Sequence, residues 1–436
     1  MQDRSLMKDS TIVKVQDIAS SQKNALVGGP FGSNLVTSDY TDSGIPVIRG
    51  QNMGQGRWVT GDFAFVTEEK ANSLKANIAR PADLIFTQRG TLGQVAIIPS
   101  GDYDEYLISQ SQMKLTVDSE KADTMFLYYS FVGEEQQQYI RQNAIQTGVP
   151  HTNLTILRNT PVTLPPIGEQ KAIAKILSAF DDRIELNRRM NATLEAMARA
   201  LFKAWFVDFE PVHANRENRP STSASPEIAK LFPSTFENGI PKGWKAGSVG
   251  QNFNLTMGRS PSGDTYNQNG EGEVFYQGRT DFGFRFPAPR VYCTQPATFA
   301  EKGDTLLSVR APVGDVNIAP DKCCIGRGIA AIRHKSGSSS FTYYNLWNLA
   351  SHFENFESEG TVFGSITKIG LQNTKIVEPI PQIIKRFDKL VGTLDRRIET
   401  NSRQNLTLSE IRDSLLPRLI SGRIGIKAPL CNEHTI

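Results

Sequence analysis

The chain carries one helical sequence twice, 214 residues apart, with Ile173–Trp205 as the first copy and Phe387–Leu419 as the second. The copies share one tripeptide and two asparagines: Arg-Ile-Glu at 183–185 and 397–399, Asn187 with Asn401, and Asn191 with Asn405. Each copy follows a different and much longer stretch of sequence. Such a chain is built from two similar halves, and each half ends in a long helix.

The apolar residues of both copies alternate three and four apart, which is the pattern of a coiled-coil seam. The assigned seam positions are Ile173, Leu177, Phe180, Ile184, Asn187, Asn191, Leu194 and Leu201 in the first copy and Phe387, Val391, Leu394, Ile398, Asn401, Asn405, Leu408 and Leu415 in the second. Asparagine at matching seam positions penalises a shifted register, because a mispaired buried amide is left without hydrogen bonds. We therefore predict that the two helices pair with each other, antiparallel. The alternative is two ordinary core helices in two similar domains.

Composition predicts a cytoplasmic protein of at least two domains. The chain has 436 residues, 39% of them hydrophobic, which is enough for real cores. Nothing at the N-terminus resembles a signal peptide, and no apolar run approaches the about 18 residues needed to cross a bilayer. The four cysteines show neither zinc spacing nor a disulfide framework: Cys293, Cys323, Cys324 and Cys431. A net charge of only +3 argues against non-specific coating of nucleic acid, but it allows basic residues that are placed locally.

The stretches that precede the two helices also match, more faintly. The matching segments are Asp83–Gly93 with Asp304–Gly314, Val47–Asn52 with Phe275–Thr280, and Ile108–Met113 with Ile325–Ala330. Each joins a β-branched or aromatic run to a turn that carries Gly, Arg, Gln or Asn, which is typical of strands that end in polar loops. We therefore predict two β-rich heads.

The predicted fold class is α+β, with two β-rich heads separated by two long helices that form an antiparallel coiled coil. A segment rich in Pro, Ser, Asn and Glu after Val212 is interpreted as a linker. The predicted boundaries are 1–160 for the first head, 161–212 for the first long helix, 213–240 for the linker, 241–378 for the second head, 379–424 for the second long helix and 425–436 for a C-terminal tail.

Several segments in a fixed order resemble the specificity subunit of type I restriction-modification enzymes. They are Gly28–Asn34, Ile45–Asn52, Leu164–Asn187 (beginning LPPIGEQ), Ala200–Val212, Ile240–Trp244 and Leu415–Ile424 (LLPRLISGRI). The resemblance covers essentially the whole chain, head to helix twice over. The second copy departs from it at Glu378–Phe387, which lacks the Pro-Pro and Glu-Gln of the first.

The resemblance implies a non-catalytic subunit whose heads are target recognition domains. In that family each head reads one half of a split, asymmetric site in double-stranded DNA, and the coiled coil sets the gap between the halves. Two methyltransferase subunits dock on the helices and carry S-adenosylmethionine, while restriction subunits that translocate and cut DNA use ATP and Mg²⁺. The resemblance implies no cofactor, no metal and no membrane partner for this chain itself.

The motifs that are absent from the sequence fit this division of labour. There is no P-loop, no Asn-Pro-Pro-aromatic tetrad of the kind found in amino-methyltransferases, and no glycine-rich fingerprint for a methyl donor. Gly326–Ala331 formally satisfies a dinucleotide motif, but it matches Ser109–Lys114 of the other head and no clear amphipathic helix follows it. A self-sufficient restriction enzyme is thus disfavoured. The remaining alternative is a duplicated protein-binding scaffold with a coiled-coil spacer and no DNA reading.

The candidate DNA-binding residues are Arg, Gln and Asn on the strand-end loops, because Arg pairs with guanine and Gln or Asn with adenine. Lys and Ser more often hold phosphates. The candidates are Arg49, Gln51, Asn52, Gln88, Arg89, Gln110, Gln112, His151 and Asn153 in the first head and Gln277, Arg279, Arg310, Arg327, Ser365 and Lys368 in the second. Arg89 and Arg310 are the strongest pair, because both heads place an arginine alike.

Overall fold

The computed structural model describes residues 10–54, 56–146, 150–350, 352–353 and 364–425. The chain divides into two compact units, one containing the residues up to Asn187 together with those from Arg403 onward, and the other containing Arg188–Ser402. Each unit holds one head and a segment of both long helices.

The two long helices are α5 and α11, and the other helices are short. In chain order the helices are α1 (Glu68–Ser73), α2 (Thr124–Val132), α3 (Glu134–Asn143), α4 (Leu154–Asn159), α5 (Ile167–Phe206), α6 (Glu210–Arg216), α7 (Pro226–Ala229), α8 (Val249–Asn252), α9 (Ser339–Asn348), α10 (Lys368–Asn373) and α11 (Pro381–Ile420).

Each head is built around short strands. Those of the first head are β1 (Thr11–Lys14), β2 (Leu26–Gly28), β3 (Tyr40–Thr41), β4 (Ile45–Ile48), β5 (Ala64–Val66), β6 (Ile78–Ala79), β7 (Leu84–Thr87), β8 (Val95–Ile97), β9 (Tyr106–Ile108), β10 (Gln112–Leu115) and β11 (Pro161–Leu164). Those of the second unit are β12 (Phe236–Glu237), β13 (Ile240–Pro241), β14 (Lys245–Ser248), β15 (Phe253–Met257), β16 (Tyr266–Asn267), β17 (Glu273–Tyr276), β18 (Tyr292–Cys293), β19 (Phe299–Ala300), β20 (Thr305–Ser308), β21 (Val316–Ile318), β22 (Cys323–Ile325), β23 (Ile329–His334) and β24 (Lys375–Glu378).

The two heads have the same strand order. The first contains a five-stranded sheet β3-β5-β4-β9-β6, a four-stranded sheet β2-β10-β7-β8 and the pair β1-β11. The second repeats these as β16-β18-β17-β22-β19, β15-β23-β20-β21 and β14-β24. Each five-stranded sheet has its parallel pair at the same place, β4 with β9 and β17 with β22. The three faint sequence matches fall on equivalent strands, so the prediction of duplicated β-rich heads is confirmed.

The long helices pair antiparallel in both units. In the first unit, Arg412 on α11 forms an ion pair with Asp181 on α5. In the second, Phe387 near the start of α11 packs edge-on against Phe206 at the end of α5, with ring centroids 5.1 Å apart. The antiparallel coiled coil is therefore confirmed.

All sixteen assigned seam residues are buried or half-buried. Each unit also contains one asparagine pair across the seam. Asn187 donates to the side-chain oxygen of Asn405 at 2.8 Å in the first unit, and Asn401 donates to that of Asn191 at 2.9 Å in the second. The seam amides thus bond to each other, as a fixed register requires.

The helix ends differ from the predicted boundaries for local reasons. Residues 161–164 form β11, which pairs with β1, so α5 begins only at Ile167, after two prolines. The helix ends at Phe206, because Phe209 adopts a left-handed backbone conformation with a φ of 51°. Helix α11 ends at Ile420, just before Gly422, whose φ of 68° is typical of a helix C-terminus. Of the predicted C-terminal tail, residues 426–436 lie outside the described residues.

The segment predicted as a linker is folded and packed. It carries part of α6, all of α7 and the hairpin β12-β13. Val212, Ala214 and Phe232 are buried, and Phe232 packs edge-on against Trp205 with ring centroids 5.3 Å apart. Its polar composition is satisfied locally, because the Glu210 carboxylate accepts hydrogen bonds from Ser223 Oγ at 2.7 Å and from the Thr222 N–H at 3.0 Å. Polar composition therefore misled the prediction here.

Candidate nucleic-acid interface

Three polar segments of the first head meet at one end of β10 and β7, the central strands of its four-stranded sheet. The Gln88 N–H donates to the Ser111 carbonyl at 2.6 Å, and the Thr152 N–H donates to the Gln88 carbonyl at 3.0 Å. Arg89 and His151 form an antiparallel β-bridge beside them. The loop after β7, the loop after β9 and the segment before α4 are therefore neighbours, which brings together Gln88, Arg89 and His151.

The glycine-containing loop after β2 joins this cluster. A Cβ atom on Gly29 would lie 2.0 Å from the Ser109 carbonyl oxygen, so only glycine allows the close approach. The Gln110 amide donates to the Gly32 carbonyl at 3.0 Å and so ties the loop down. Between these two fixed points Phe31 projects into solvent with 84% of its surface exposed.

Two candidates of the first head are buried, and their assignment as base readers is wrong. Asn52 is 1% exposed, and its amide is committed to the Arg49 N–H at 3.0 Å and the Asp62 carbonyl at 3.0 Å. Gln112 is fully buried on β10. Both amides stabilise the turn after β4 or the sheet and cannot reach a ligand.

The other candidates of the first head keep some exposed surface. Gln51, Arg89 and Gln110 are exposed, and Arg49, Gln88, His151 and Asn153 are half-buried. Four of them also have structural contacts. Asn153 caps α4 by accepting from the Ile156 N–H at 2.9 Å, and the Arg49 guanidinium lies 6.0 Å from the Tyr40 ring centroid. The Gln51 amide donates to the Asp62 carbonyl at 3.1 Å, as the Gln110 amide does to that of Gly32. Arg89 and Gln110 are the most accessible members next to the loop contacts above.

The second head builds the equivalent cluster from the same elements. Arg310 and Ser365 form the β-bridge that corresponds to that of Arg89 and His151. The Val309 N–H donates to the Gly328 carbonyl at 2.9 Å, and a Cβ atom on Gly328 would lie 2.7 Å from the Gln277 carbonyl oxygen. These close contacts bring Gln277, Arg310 and Arg327, the residue before Gly328, together at the ends of the strands.

All six candidates of the second head are exposed: Gln277, Arg279, Arg310, Arg327, Ser365 and Lys368. Arg279 forms an ion pair with Asp315, which partly neutralises its charge. Sequence reasoning missed Arg259, an exposed residue that follows Gly258. A Cβ atom on Gly258 would lie 2.2 Å from the Gly326 carbonyl oxygen, so Gly258 plays the part of Gly29 and places Arg259 in the cluster. A glycine that follows a strand and precedes a polar loop, Gly29 in the first head and Gly258 in the second, could have pointed to Phe31 and Arg259 in the sequence.

The two clusters differ in chemistry. The first is rich in amides and carries an exposed aromatic ring, whereas the second is rich in arginine. The arrangement can therefore offer hydrogen bonds to base edges in both heads, with more positive charge in the second.

The structure provides little support for other chemistries in its described part. Among the residues that the structure describes, no group of His, Cys, Asp and Glu is able to hold a metal ion. Cys293, Cys323 and Cys324 are unpaired and buried, and burial raises the pKa of the Cys323 thiol to about 12. Cys431 lies outside the described residues. The formal dinucleotide motif at 326–331 leads into β23, a strand and not a helix.

Comparison with known proteins identifies the family. The family model of the type I restriction modification DNA specificity domain matches residues 7–196 and 241–409, once for each head and helix. The chain belongs to this family. The predicted specificity subunit, with two recognition domains, is thereby confirmed and the protein-binding scaffold is not favoured.

The chain is similar to individual specificity subunits over about three quarters or more of its length. This chain is 24% identical over 440 residues to the type I restriction enzyme MjaIX specificity subunit of Methanocaldococcus jannaschii, and the match covers 96% of this chain and 94% of the relative. It is 25% identical over 385 residues to the HindI specificity subunit of Haemophilus influenzae, covering 74% and 82%. The crystal structure of the type I restriction-modification system S subunit from M. genitalium shares its fold, with a TM-score of 0.55 at 17% identity, covering 96% and 97% of the two chains.

Within the described ranges, no helix is long and apolar enough to cross a membrane.

Proposed function

We propose that this specificity subunit reads a split, asymmetric site in double-stranded DNA, one half with each head. The observation that carries the proposal is the equivalence of the two loop clusters. Arg89 with His151 and Arg310 with Ser365 form the same β-bridge in two heads of identical strand order. Two copies of one reading surface with different side chains suit two different half-sites.

The side chains of each cluster favour a different half-site composition. Exposed Gln51 and Gln110 in the first head carry the amide group that pairs with the adenine N6 and N7 atoms. Adenine would replace the hydrogen bonds that these amides donate to backbone carbonyls of the head. Arg259, Arg310 and Arg327 in the second head are suited to guanine O6 and N7 and to phosphates. We expect the half-site that the second head reads to contain more guanine than the half-site that the first head reads.

Phe31 adds an apolar contact to the first head. Its ring is 84% exposed on a loop held by Gly29 and Gln110. Exposing a phenylalanine to water has a cost that burial on binding removes. Against DNA, an apolar ring can contact a thymine methyl group or wedge between bases. The second head has an arginine, Arg259, after the corresponding glycine, so this contact belongs to one half-site only.

The long helices have apolar side chains that remain half-exposed or more. Leu186 is 50% exposed, Met197 55% and Leu406 60%. We propose that methyltransferase subunits cover them, and that the length of the helix pair sets the gap between half-sites. S-adenosylmethionine then belongs to the methyltransferase, and ATP and Mg²⁺ to the restriction subunit. The methyltransferase must flip its adenine out of the duplex, and this chain supplies the address.

The experiment that tests DNA reading is the salt dependence of binding by the full chain assembled with its methyltransferase subunits. Fluorescence anisotropy of labelled duplex DNA is measured between 50 and 200 mM salt, a range over which about 6–10 phosphate contacts lose about 10³–10⁵ in affinity. A steep loss of affinity with rising salt supports the proposal, provided that unlabelled duplex carrying the specific site still competes better than unrelated duplex. Absence of measurable affinity at the lowest salt contradicts it.

A further inference from the structure

The first head contacts the helix pair at a second point, far from where its chain enters α5. The chain enters at Ile167, and the Tyr129 hydroxyl on α2 donates to Asp181 Oδ2 at 2.6 Å. Asp181 is 14 residues beyond Ile167, which is about 21 Å along a helix that rises about 1.5 Å per residue. Burial and the neighbouring Asp181 charge raise the pKa of the Tyr129 hydroxyl, so it remains a donor.

Charged and indole groups reinforce this contact. Arg57, whose side chain is 6% exposed, forms an ion pair with Asp182 on the next position of α5. Its guanidinium also lies 3.8 Å from Glu185 Oε2, to which Trp58 Nε1 donates at 3.2 Å. Arg57 and Trp58 of the head thus hold Asp182 and Glu185, which lie about one turn apart on α5.

The second head repeats the arrangement on α11. The chain enters α11 at Pro381, and the Tyr344 hydroxyl on α9 donates to Asp395 Oδ1 at 2.8 Å. Asp395 again lies 14 residues beyond the first residue of its helix. Arg285, with 1% of its side chain exposed, donates to the same Asp395 oxygen at 2.8 Å.

The residues involved are equivalent in the two heads. Asp181 and Asp395 occupy the same position of the helical repeat, 214 residues apart. The carbonyl of Arg57 accepts from the Ile97 N–H of β8 at 2.7 Å, and that of Arg285 accepts from the Ile318 N–H of β21 at 2.8 Å. The two arginines therefore lie against equivalent edge strands, one in each head. We call the set of Arg57, Tyr129, Asp181 and Asp182 the first anchor, and the set of Arg285, Tyr344 and Asp395 the second anchor.

An anchor restricts how a head can move. Each head packs apolar residues against the first turns of its helix, such as Ile173 and Leu177 of α5 and Phe387 and Val391 of α11. The polar anchor lies about 21 Å along the helix, beyond this apolar packing, and adds resistance to tilting because a tilt there breaks hydrogen bonds to charged groups. Those bonds are the strong ones, and a buried charge left unpaired is costly.

We propose that the two anchors fix the tilt of each head on the long helices and thereby restrict the gap between half-sites that the subunit accepts. The inference rests on the proposed function. Adding one base pair moves a half-site by about 3.4 Å along the duplex and turns it by about 34°. A rigid head misses the displaced half-site, whereas a loosened head reaches it. The anchor residues are positioning residues and do not contact DNA.

The test measures gap tolerance with the full chain assembled with its methyltransferase subunits. A duplex library carries both half-sites, identified first by mapping methylated adenines, at the natural gap and at gaps one or two base pairs shorter or longer. The variants are Tyr129→Phe and Tyr344→Phe, each of which removes one anchor hydroxyl. Tyr103→Phe is the control, because Tyr103 is another tyrosine of the first head that packs against Phe63 and Tyr106 in a separate hydrophobic cluster. Methylation of each library member is counted by sequencing.

For Tyr129→Phe and Tyr344→Phe we expect the preference for the natural gap over its neighbours to fall about tenfold. The half-site sequences should stay unchanged, and Tyr103→Phe should match the wild type. An unchanged gap preference, or an equal loss of methylation at every gap, overturns the inference, because a purely structural role gives one or the other. If one variant fails to fold, the variant in the other head carries the same test. A wild-type complex that methylates no split site contradicts the proposed function itself, and this inference with it.

Discussion

The Asn401 amide donates to the side-chain oxygen of Asn191 at 2.9 Å across the helix seam, and both residues are buried. Asn187 and Asn405 repeat the pair in the other unit at 2.8 Å. Apolar residues would stabilise a seam more than buried amides do, so the amides specify register at a cost in stability.

Replacing one asparagine of the pair should destabilise the helix pair. Asn191→Leu leaves the Asn401 amide buried without its partner, which costs about 1–3 kcal/mol. The double variant Asn191→Leu/Asn401→Leu removes both polar groups and should regain at least that stability. Thermal unfolding midpoints of the four proteins in this double-mutant cycle provide the measurement. A double variant less stable than either single one contradicts the register argument.

Substitutions at the equivalent arginines should affect the two half-sites separately. Arg89→Ala should weaken recognition of one half-site and Arg310→Ala that of the other, each by about 1–3 kcal/mol if the arginine reads a base. Binding to duplexes with one half-site scrambled separates the two effects. Arg80→Ala is the control in the first head, because Arg80 is exposed and pairs with Glu105. Glu105 precedes β9, whereas Arg89 lies near the loop that follows β9. Equal loss at both half-sites would show that the heads do not read independently.

Phe31 should contribute to one half-site through its ring. Phe31→Ala should lower affinity for duplexes that carry the first half-site by about tenfold, on the scale of a stacked or wedged aromatic ring. Because the side chain is 84% exposed, the unfolding midpoint should not change. Phe31→Leu, which keeps an apolar side chain, should recover part of the loss if the contact is to a thymine methyl group. Wild-type affinity for Phe31→Ala would remove Phe31 from the interface.

Glu210 should make the second unit sensitive to acid. Burial alone would raise its pKa, but hydrogen bonds from Ser221, Ser223 and Thr222 and the Arg219 guanidinium lower the pKa to about 2, from an ordinary value of 4.5. A carboxyl group whose pKa is lower in the folded state contributes stability that is complete above its unfolded pKa and is lost as the pH falls towards the folded value.

The midpoint difference between wild type and Glu210→Gln should therefore be largest at neutral pH and shrink between pH 4.5 and about pH 2. Thermal scans across this range measure it. Glu237→Gln is the control, because Glu237 makes only a surface pair with Lys242. A pH-independent difference would assign the effect to packing and not to the charge of Glu210.

The helix pair was predictable because its information is local. The seam spacing and the matched asparagines are read along one stretch of chain, and the pairing in both units agrees with them. The loop residues were only partly predictable. Their type and position after a strand can be read, but burial depends on which other loop packs there, so Asn52 and Gln112 face inward while Gln51 and Gln110 remain exposed.

The anchors could not be predicted, since their members are far apart in sequence. Arg57, Tyr129 and Asp181 carry no motif that links them, and only the fold brings them together. The packed segment after Val212 was missed for a different reason. Its polar composition is typical of linkers, yet the Glu210 carboxylate accepts hydrogen bonds from Ser223 Oγ and the Thr222 N–H and holds the segment in place.

The most direct test of the account is to map methylated adenines across the genome of a host that lacks adenine methylation and expresses this chain with a cognate methyltransferase subunit. The account predicts a single split, asymmetric motif with a fixed gap, and a change confined to one half of that motif for Arg89→Ala. An assembled complex that binds S-adenosylmethionine but produces no new methylation would contradict DNA reading by the two heads.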